Sequence, residues 1–325
     1  MHKKSWWRLL LVLICGVLCA ASVPAQHYPD KPVRMIVPFP AGGSNDIVAR
    51  LLAQKLAETL GQQFIIDNRG GAGGAIGAQT VANAAPDGYT LLLTNPGPGI
   101  HNVLLRRRPP YTLADFAPIV HIGSASSIVV ANMRVPAANM KELLVYARSN
   151  PGKLNWASGG NNSNTHISIE VLKAATGIDV LHVPYKGTSP ALTDVMSGQA
   201  DLMFTSVIAS EAHISTGRLK VLGVAGAKRH TAIAEVATFE EQGIRRANVY
   251  TWYGMVTATK TPHAVIDRLN AALNRALDQP DVRQRLEHLG LEVAGGTPAR
   301  FGNFMQEEAA NLSRLIARGA LKVDG

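Results

Sequence analysis

Pro38-Phe39-Pro40-Ala41-Gly42-Gly43-Ser44-Asn45-Asp46 joins an apolar, strand-like run, Val33 to Val37, directly to a helix-patterned run, Ile47 to Leu60. A strand that breaks through prolines and glycines into a helix leaves free backbone N–H groups at the helix start. Those donors, reinforced by the helix dipole, suit an anion. A second junction of the same make-up lies far away in the chain: Ser158-Gly159-Gly160-Asn161-Asn162-Ser163-Asn164-Thr165-His166. Facing each other across a cleft, two such junctions would clamp a small carboxylate.

Around these junctions the pattern is α/β. In the first half, Val33–Val37 reads as a strand, and Val48, Leu52, Leu56 and Leu60 share one helix face with Gly61 as the stop. Phe64 to Ile66 is a short strand, Gly70 to Gly77 enters a small-residue helix, and Pro86-Asp87-Gly88 turns into a strand at Thr90–Thr94. Strands follow at 127–131, 154–157, 180–183, 201–205, 219–225 and 250–257. Helices are expected at 140–148, up to 175, from Ser189-Pro190 to Gly198, and near 262–278, 280–288 and 298–318. Repeated βαβ units predict mostly parallel sheets flanked by helices. A chain that leaves one domain, builds another and returns divides as 26–125 plus 222–325 against 126–221, with the ligand cleft between them.

The first 25 of the 325 residues read as a cleavable signal peptide. Lys3, Lys4 and Arg8 precede an apolar run, Leu9 to Leu18, too short to span a bilayer, and Val23-Pro24-Ala25 offers a cleavage site. Ile14 and Leu18 stand before Cys15 and Cys19 where a lipoprotein needs a small residue. Cleavage removes both cysteines, which excludes disulfides, thiolate metal sites and cysteine nucleophiles from the mature chain and points to a periplasm. The net charge falls from +9 to +6, a mild field that favours anionic solutes. Arg106-Arg107-Arg108, followed by two prolines and without interleaved aromatics, reads as a solvated loop rather than a nucleic-acid site.

Within the first junction, Gly42 and Gly43 allow close backbone approach and Ser44 or Asn45 could cap the helix. Asp46 is either a first-turn carboxylate or a contact for a ligand amino or hydroxyl group. In the second, Ser158, Ser163 and Thr165 offer hydroxyls, and His166 is either a packed histidine or a carboxylate partner. Lys186, in Val183-Pro184-Tyr185-Lys186-Gly187, could neutralise a carboxylate or face solvent. Thr94, Asn95, Thr205 and Ser206 stand just past strand ends, where open sheets place ligands. The catalytic signatures are missing. Gly42-Gly43-Ser44-Asn45-Asp46 is no nucleophile elbow, Gly152-Lys153 no Walker motif, Gly71–Gly77 no dinucleotide fingerprint, and the histidines show no metal spacing.

With these residues in place, the chain closely resembles the Bug family, the TctC-like periplasmic solute receptors of tripartite tricarboxylate transporters. The resemblance covers nearly all of the mature chain. Its carriers include Tyr28-Pro29-Asp30-Lys31-Pro32, Val37-Pro38-Phe39-Pro40-Ala41-Gly42-Gly43 with Asp46, Asp67-Asn68-Arg69, Pro86-Asp87-Gly88-Tyr89-Thr90, Pro151-Gly152-Lys153-Leu154 and Val183–Gly187. It implies a two-domain Venus flytrap, type II-like, without catalytic activity, cofactor or metal. It further implies ligand contacts at Phe39, Ala41, Gly42, Gly43, Ser44 and Asp46 on one side. On the other side stand Ser158, Gly160, Thr165, His166, Tyr185, Lys186 and Gly187. Asn162, where a glycine is usual, the stretch Thr94–Pro98 and the loop Arg106–Pro110 depart from the pattern; the first two lie near the expected cleft and leave the ligand's identity open. The expectation is a monomeric receptor that delivers a small organic carboxylate to inner-membrane transporter subunits. The alternatives are a carboxylate sensor feeding a signalling system and a secreted α/β hydrolase using Ser158 and His166.

Overall fold

The computed structural model describes residues 28–319 and Leu321. The expected signal peptide, with Cys15 and Cys19, lies outside the described residues. The strands are β1 (Val33–Val37), β2 (Phe64–Asn68), β3 (Thr90–Thr94), β4 (Phe116–Ser126), β5 (Ile128–Ala131), β6 (Asn155–Ser158), β7 (Leu181–Pro184), β8 (Leu202–Thr205), β9 (Lys220–Val224), β10 (Tyr250–Ala258) and β11 (Glu292–Val293). The helices are α1 (Ser44–Leu60), α2 (Ala75–Ala82), α3 (Met140–Ser149), α4 (Asn164–Thr176), α5 (Thr188–Ser197), α6 (Val207–Ser215), α7 (His263–Asp278), α8 (Pro280–His288) and α9 (Pro298–Ala317), besides an unlabelled turn at Asn102–Leu104.

These elements form two sheets, ordered β11-β4-β10-β3-β1-β2 and β7-β6-β8-β5-β9, and each sheet with its helices is a lobe. Period-two burial fixes the layers of the first. Val33, Met35 and Val37 join Leu52 and Leu56 of α1 and Leu269 and Leu273 of α7 in one core. Ile36, from the opposite face of β1, joins Ala78 of α2, Trp252 of β10 and Phe301 of α9. The second sheet is covered likewise. Trp156 and Phe204 pack with Leu143 of α3 and Leu172 of α4, while Val130 and Met203 pack with Leu192 of α5 and Val207 of α6.

The two-lobed α/β arrangement follows the sequence pattern, but both sheets are mixed rather than mostly parallel. β1 pairs in parallel with β2 and β3, and β6 with β7 and β8. β10 runs antiparallel to β3 and β4, and β5 antiparallel to β8 and β9. The cause is the crossing between lobes. β4 carries the chain out and β10 carries it back, so these neighbours must point in opposite directions. β4 has no strand signal in the sequence because Pro118 and Gly123 interrupt it; register shifts between Tyr253 and Gly254 and between Met255 and Val256 leave Ile122 and Ile119, beside those residues, without a partner on β10.

At the hinge, Ser127 N–H donates to Val249 O (3.1 Å), Ala225 N–H to Ser127 O (2.8 Å) and Val249 N–H to Ala225 O (2.9 Å). Residue 222, the expected point of return, falls inside β9, which pairs with β5 in the second sheet. Phe239, Ile244 and Ala247 still pack in the second lobe's core, which carries the chain on to Val249.

Gly254 lies in β10 where an added Cβ would stand 2.0 Å from Phe301 Cζ. Gly254→Ala should destabilise the protein by about 1–3 kcal/mol, seen as a lower urea midpoint with an unchanged slope. An unaltered midpoint would mean that the ring yields freely.

Candidate functional site: a closed cavity ringed by helix N-termini

Between the lobes lies a cavity of about 40 Å³. By the measure in which one water needs roughly 10–15 Å³, it holds a few waters or a small solute. Four helices begin at its wall. Gly43, Ser44 and Asn45 start α1; Ser163, Asn164 and Thr165 start α4; Thr188 starts α5; Ser206 precedes α6. α1, α5 and α6 have no side-chain cap on their first turns. Their leading N–H groups therefore have no acceptor within the helix, and each helix dipole presents its positive end. Phe39, Asn95, Ser127, Gly159, Thr205, Thr251 and Tyr253 complete the lining. No ionisable cation or carboxylate stands among these residues. Any negative charge held here is balanced by oriented neutral dipoles.

Two hydroxyls mark the floor. Thr205 Oγ1 and Ser206 Oγ are buried without a hydrogen-bond partner among the described residues. Such atoms carry a desolvation cost that a ligand oxygen would relieve. Tyr253 brings its phenol near the hydroxyls of Ser44, Ser206 and Thr251, and burial raises its pKa, keeping it a neutral donor. Asn45 and Asn95 brace the opposite wall: Asn95 Nδ2 donates to Asn45 Oδ1 at 2.9 Å, and Asn45 Nδ2 to Leu93 O at 3.3 Å.

The lobes touch around this cavity. An added Cβ on Gly187 would lie 2.4 Å from Pro40 Cδ, and one on Gly73 only 2.1 Å from Asn161 O. Glycine is what permits backbone of one lobe to approach the other this closely.

Of the residues singled out in the sequence, Phe39, Gly43, Ser44, Thr165, Thr205 and Ser206 line the cavity. Asp46 does not. Its carboxylate accepts the Gly42 N–H (3.0 Å), Arg50 Nε (2.9 Å) and Asn68 Nδ2 (3.0 Å). Burial opposes its ionisation, but those hydrogen bonds outweigh burial and hold its pKa below the usual range. Asp46 thus locks the turn, in which Gly42 takes φ +81°. Ala41 lies in the same turn, outside the cavity. Thr94 is buried beneath Asn95, with its hydroxyl directed to Asn95 O at 3.4 Å.

Ser158 is fully buried and pairs with His182, not with His166: Ser158 Oγ lies 2.6 Å from His182 Nε2. Burial, then the neighbouring His166 and Lys173, push the His182 pKa down to about 4, which makes it a poor proton acceptor at neutral pH. His166 stacks on His182 and accepts the Asn162 N–H at Nδ1 (3.1 Å). These groups brace the second junction. Gly160, Tyr185 and Lys186 line a separate groove, and Gly187 is the contact against Pro40. Ser127, Thr188, Thr251 and Tyr253 line the cavity without any local sequence signal. Ser127, Thr251 and Tyr253 belong to the crossing segments, which only the fold brings there.

A larger concavity of about 920 Å³ opens beside the hinge, but no α-helix begins among its lining residues, and its Arg229 is paired with Glu241. Among the described residues no group of metal-binding side chains occurs, and no helix is long and apolar enough to cross a membrane.

Residues 48–321 match the model of the tripartite tricarboxylate transporter family receptor. The chain belongs to this family. It is one of non-enzymatic transporter receptors, and this receptor has the fold of its solved relatives. The periplasmic binding protein BugD shares 34% identity over 91% of this chain and 99% of its own, with a TM-score of 0.87. A Rhodopseudomonas palustris protein, Rpa4515, solved with adipate, shares 32% identity over 90% and 98%, with a TM-score of 0.86. MatC from the same organism, solved with bound malate, shares 34% identity over 87% and 98%, with a TM-score of 0.84.

In this receptor Thr205→Val removes an unpartnered hydroxyl at nearly constant volume. Unfolding of the ligand-free protein should be unchanged or slightly harder, while carboxylate affinity by calorimetry falls about tenfold, the effect of one hydrogen bond to a charged group. Equal affinity would take Thr205 out of the site. A pH effect follows from His101, which lies in the first lobe against the backbone of Asn162 and Ser163 in the second and is 8% exposed. Burial lowers its pKa to about 4 from an ordinary 6.5, with a smaller lowering from His166. The closed form thus favours neutral His101. Closure is fully supported above the ordinary value and is lost as pH falls towards the depressed one. Affinity should drop by up to roughly tenfold near pH 5.5, and His101→Asn should flatten that slope.

Proposed function

We propose that the protein captures a small organic carboxylate between its lobes in the periplasm and delivers it, unaltered, to a tripartite tricarboxylate-type membrane transporter. The observation that carries this is the convergence of helix N-termini and unpartnered hydroxyls on one cavity that holds no charged side chain. An anion accepting three or four such donors, each worth roughly 1.5–3 kcal/mol, can offset an association cost of roughly 4–15 kcal/mol. The adipate- and malate-bound relatives favour the same ligand class. The ligand contacts are Phe39, Gly43, Ser44, Thr165, Thr205 and Ser206, together with Asn45, Thr188 and Tyr253.

The moving units are 28–126 plus 250–319 and 127–249, hinged at Ser127 and Val249. Binding energy shifts an open–closed equilibrium towards the closed form, and the transporter receives the loaded, closed receptor. Residues 1–25 direct export as a signal peptide and are cleaved off in the process.

A thermal-shift panel of mono-, di- and tricarboxylates, neutral sugars and cations tests this reading. A cognate carboxylate at 100 times its Kd should add about 2.7 kcal/mol to stability. A panel in which only sugars or cations raise the melting temperature would overturn it.

A further inference from the structure

Beyond the Pro40–Gly187 contact lies a second inter-lobe concavity of about 880 Å³. Successive residues divide between the two spaces: Phe39, Gly159 and Thr188 line the closed cavity, while Pro40, Gly160 and Ser189 line this groove. Its chemistry is different. It holds one cation from each lobe, Arg106 from the first and Lys186 from the second, and no carboxylate lines it. Arg106 is held in place, with Nε donating to Asn102 Oδ1 (2.9 Å) and its guanidinium to Ala72 O (3.0 Å). Both acceptors are neutral, so its charge is not compensated. Neither cation forms an ion pair among the described residues. Asp194 on α5 is engaged by the Tyr185 hydroxyl at 2.7 Å and does not line the groove.

We propose that this groove is a second anion site, taking a small multivalent oxyanion that bridges Arg106 and Lys186 across the closed lobes. Left empty, two like charges brought together by closure oppose it. Filled, they favour it. Because the site is complete only when the lobes meet, its occupant binds the closed form better and must raise carboxylate affinity in the cavity by the same factor. That coupling rests on the capture function proposed above; the anion site itself does not.

The test uses inorganic phosphate, with sodium chloride matched for ionic strength. Phosphate should tighten the Kd of the best carboxylate by about fivefold or more, the lower range of ordinary coupling energies. Arg106→Gln should abolish that gain and, by removing the like-charge repulsion, leave the Kd in chloride no weaker than that of the wild type. Arg106→Lys should retain most of it, and Arg107→Gln, an exposed neighbour, all of it. Direct phosphate titration of the carboxylate-free protein, wild type against Arg106→Gln, reads the site even if no carboxylate binds. The proposal fails if phosphate acts no differently from chloride, if it acts equally on Arg106→Gln, or if it weakens carboxylate binding by competing in the central cavity. Binding of an acidic peptide but not phosphate would also overturn it, in favour of a protein partner.

Discussion

A helix cannot satisfy its own first N–H groups, and a buried donor without an acceptor is costly. This structure assembles that deficit where four helices begin around one small space. α1 comes from the first lobe, α4, α5 and α6 from the second, and none contributes a charge of its own to the wall. Under the proposed function, the same groups that make the empty cavity unfavourable favour an acceptor-rich, negatively charged solute, and selectivity comes from the positions of neutral dipoles. It survives salt better than a surface cation pair, because buried interactions are screened less.

Around the cavity, side chains with chemical potential are spent on holding backbone in place. Asp46 ties the first turn to Arg50 and Asn68, and Ser158, His182 and His166 tie the second junction. Thr165 serves both purposes, since its hydroxyl accepts the Gly159 N–H at 2.8 Å while the residue lines the cavity. A serine 2.6 Å from a histidine would suggest nucleophilic chemistry in isolation. Its complete burial, the depressed basicity of His182 and its absence from the cavity wall give it a bracing role instead. Rigid junctions matter because a dipole is useful only where its direction is fixed.

Closure depends on a different kind of economy. Where the lobes meet, Gly73 and Gly187 bring main chain against main chain or against a proline ring. His101 enters the same seam as a neutral ring. Crossing segments hydrogen-bond to one another at Ser127, Ala225 and Val249, outside both sheets, which is where the proposed closure would turn. In the proposed function the cavity and the seam are parts of one two-state element, so a change in the seam changes binding.

Local signals in the sequence determined the two glycine-rich strand–helix junctions and the helices with regular apolar spacing, and they carried no catalytic signature. Those features depend on residues close together in the chain, such as Gly42-Gly43 before Val48 and Leu52. They could not reveal β4, whose Pro118 and Gly123 are tolerated only through bulges against β10, nor α6, whose start at Ser206 lacks a capping partner. They left Asp46 open between a first-turn carboxylate and a ligand contact, and Lys186 between a carboxylate partner and a solvent-facing side chain; tertiary contacts turn Asp46 towards Arg50 and set Lys186 in a separate groove. Only the folded chain brings Ser127, Thr188, Thr251 and Tyr253 to the same space as Ser44. They come from crossing strands and a distant helix start, and their convergence is a property of how two lobes close rather than of any neighbouring residues.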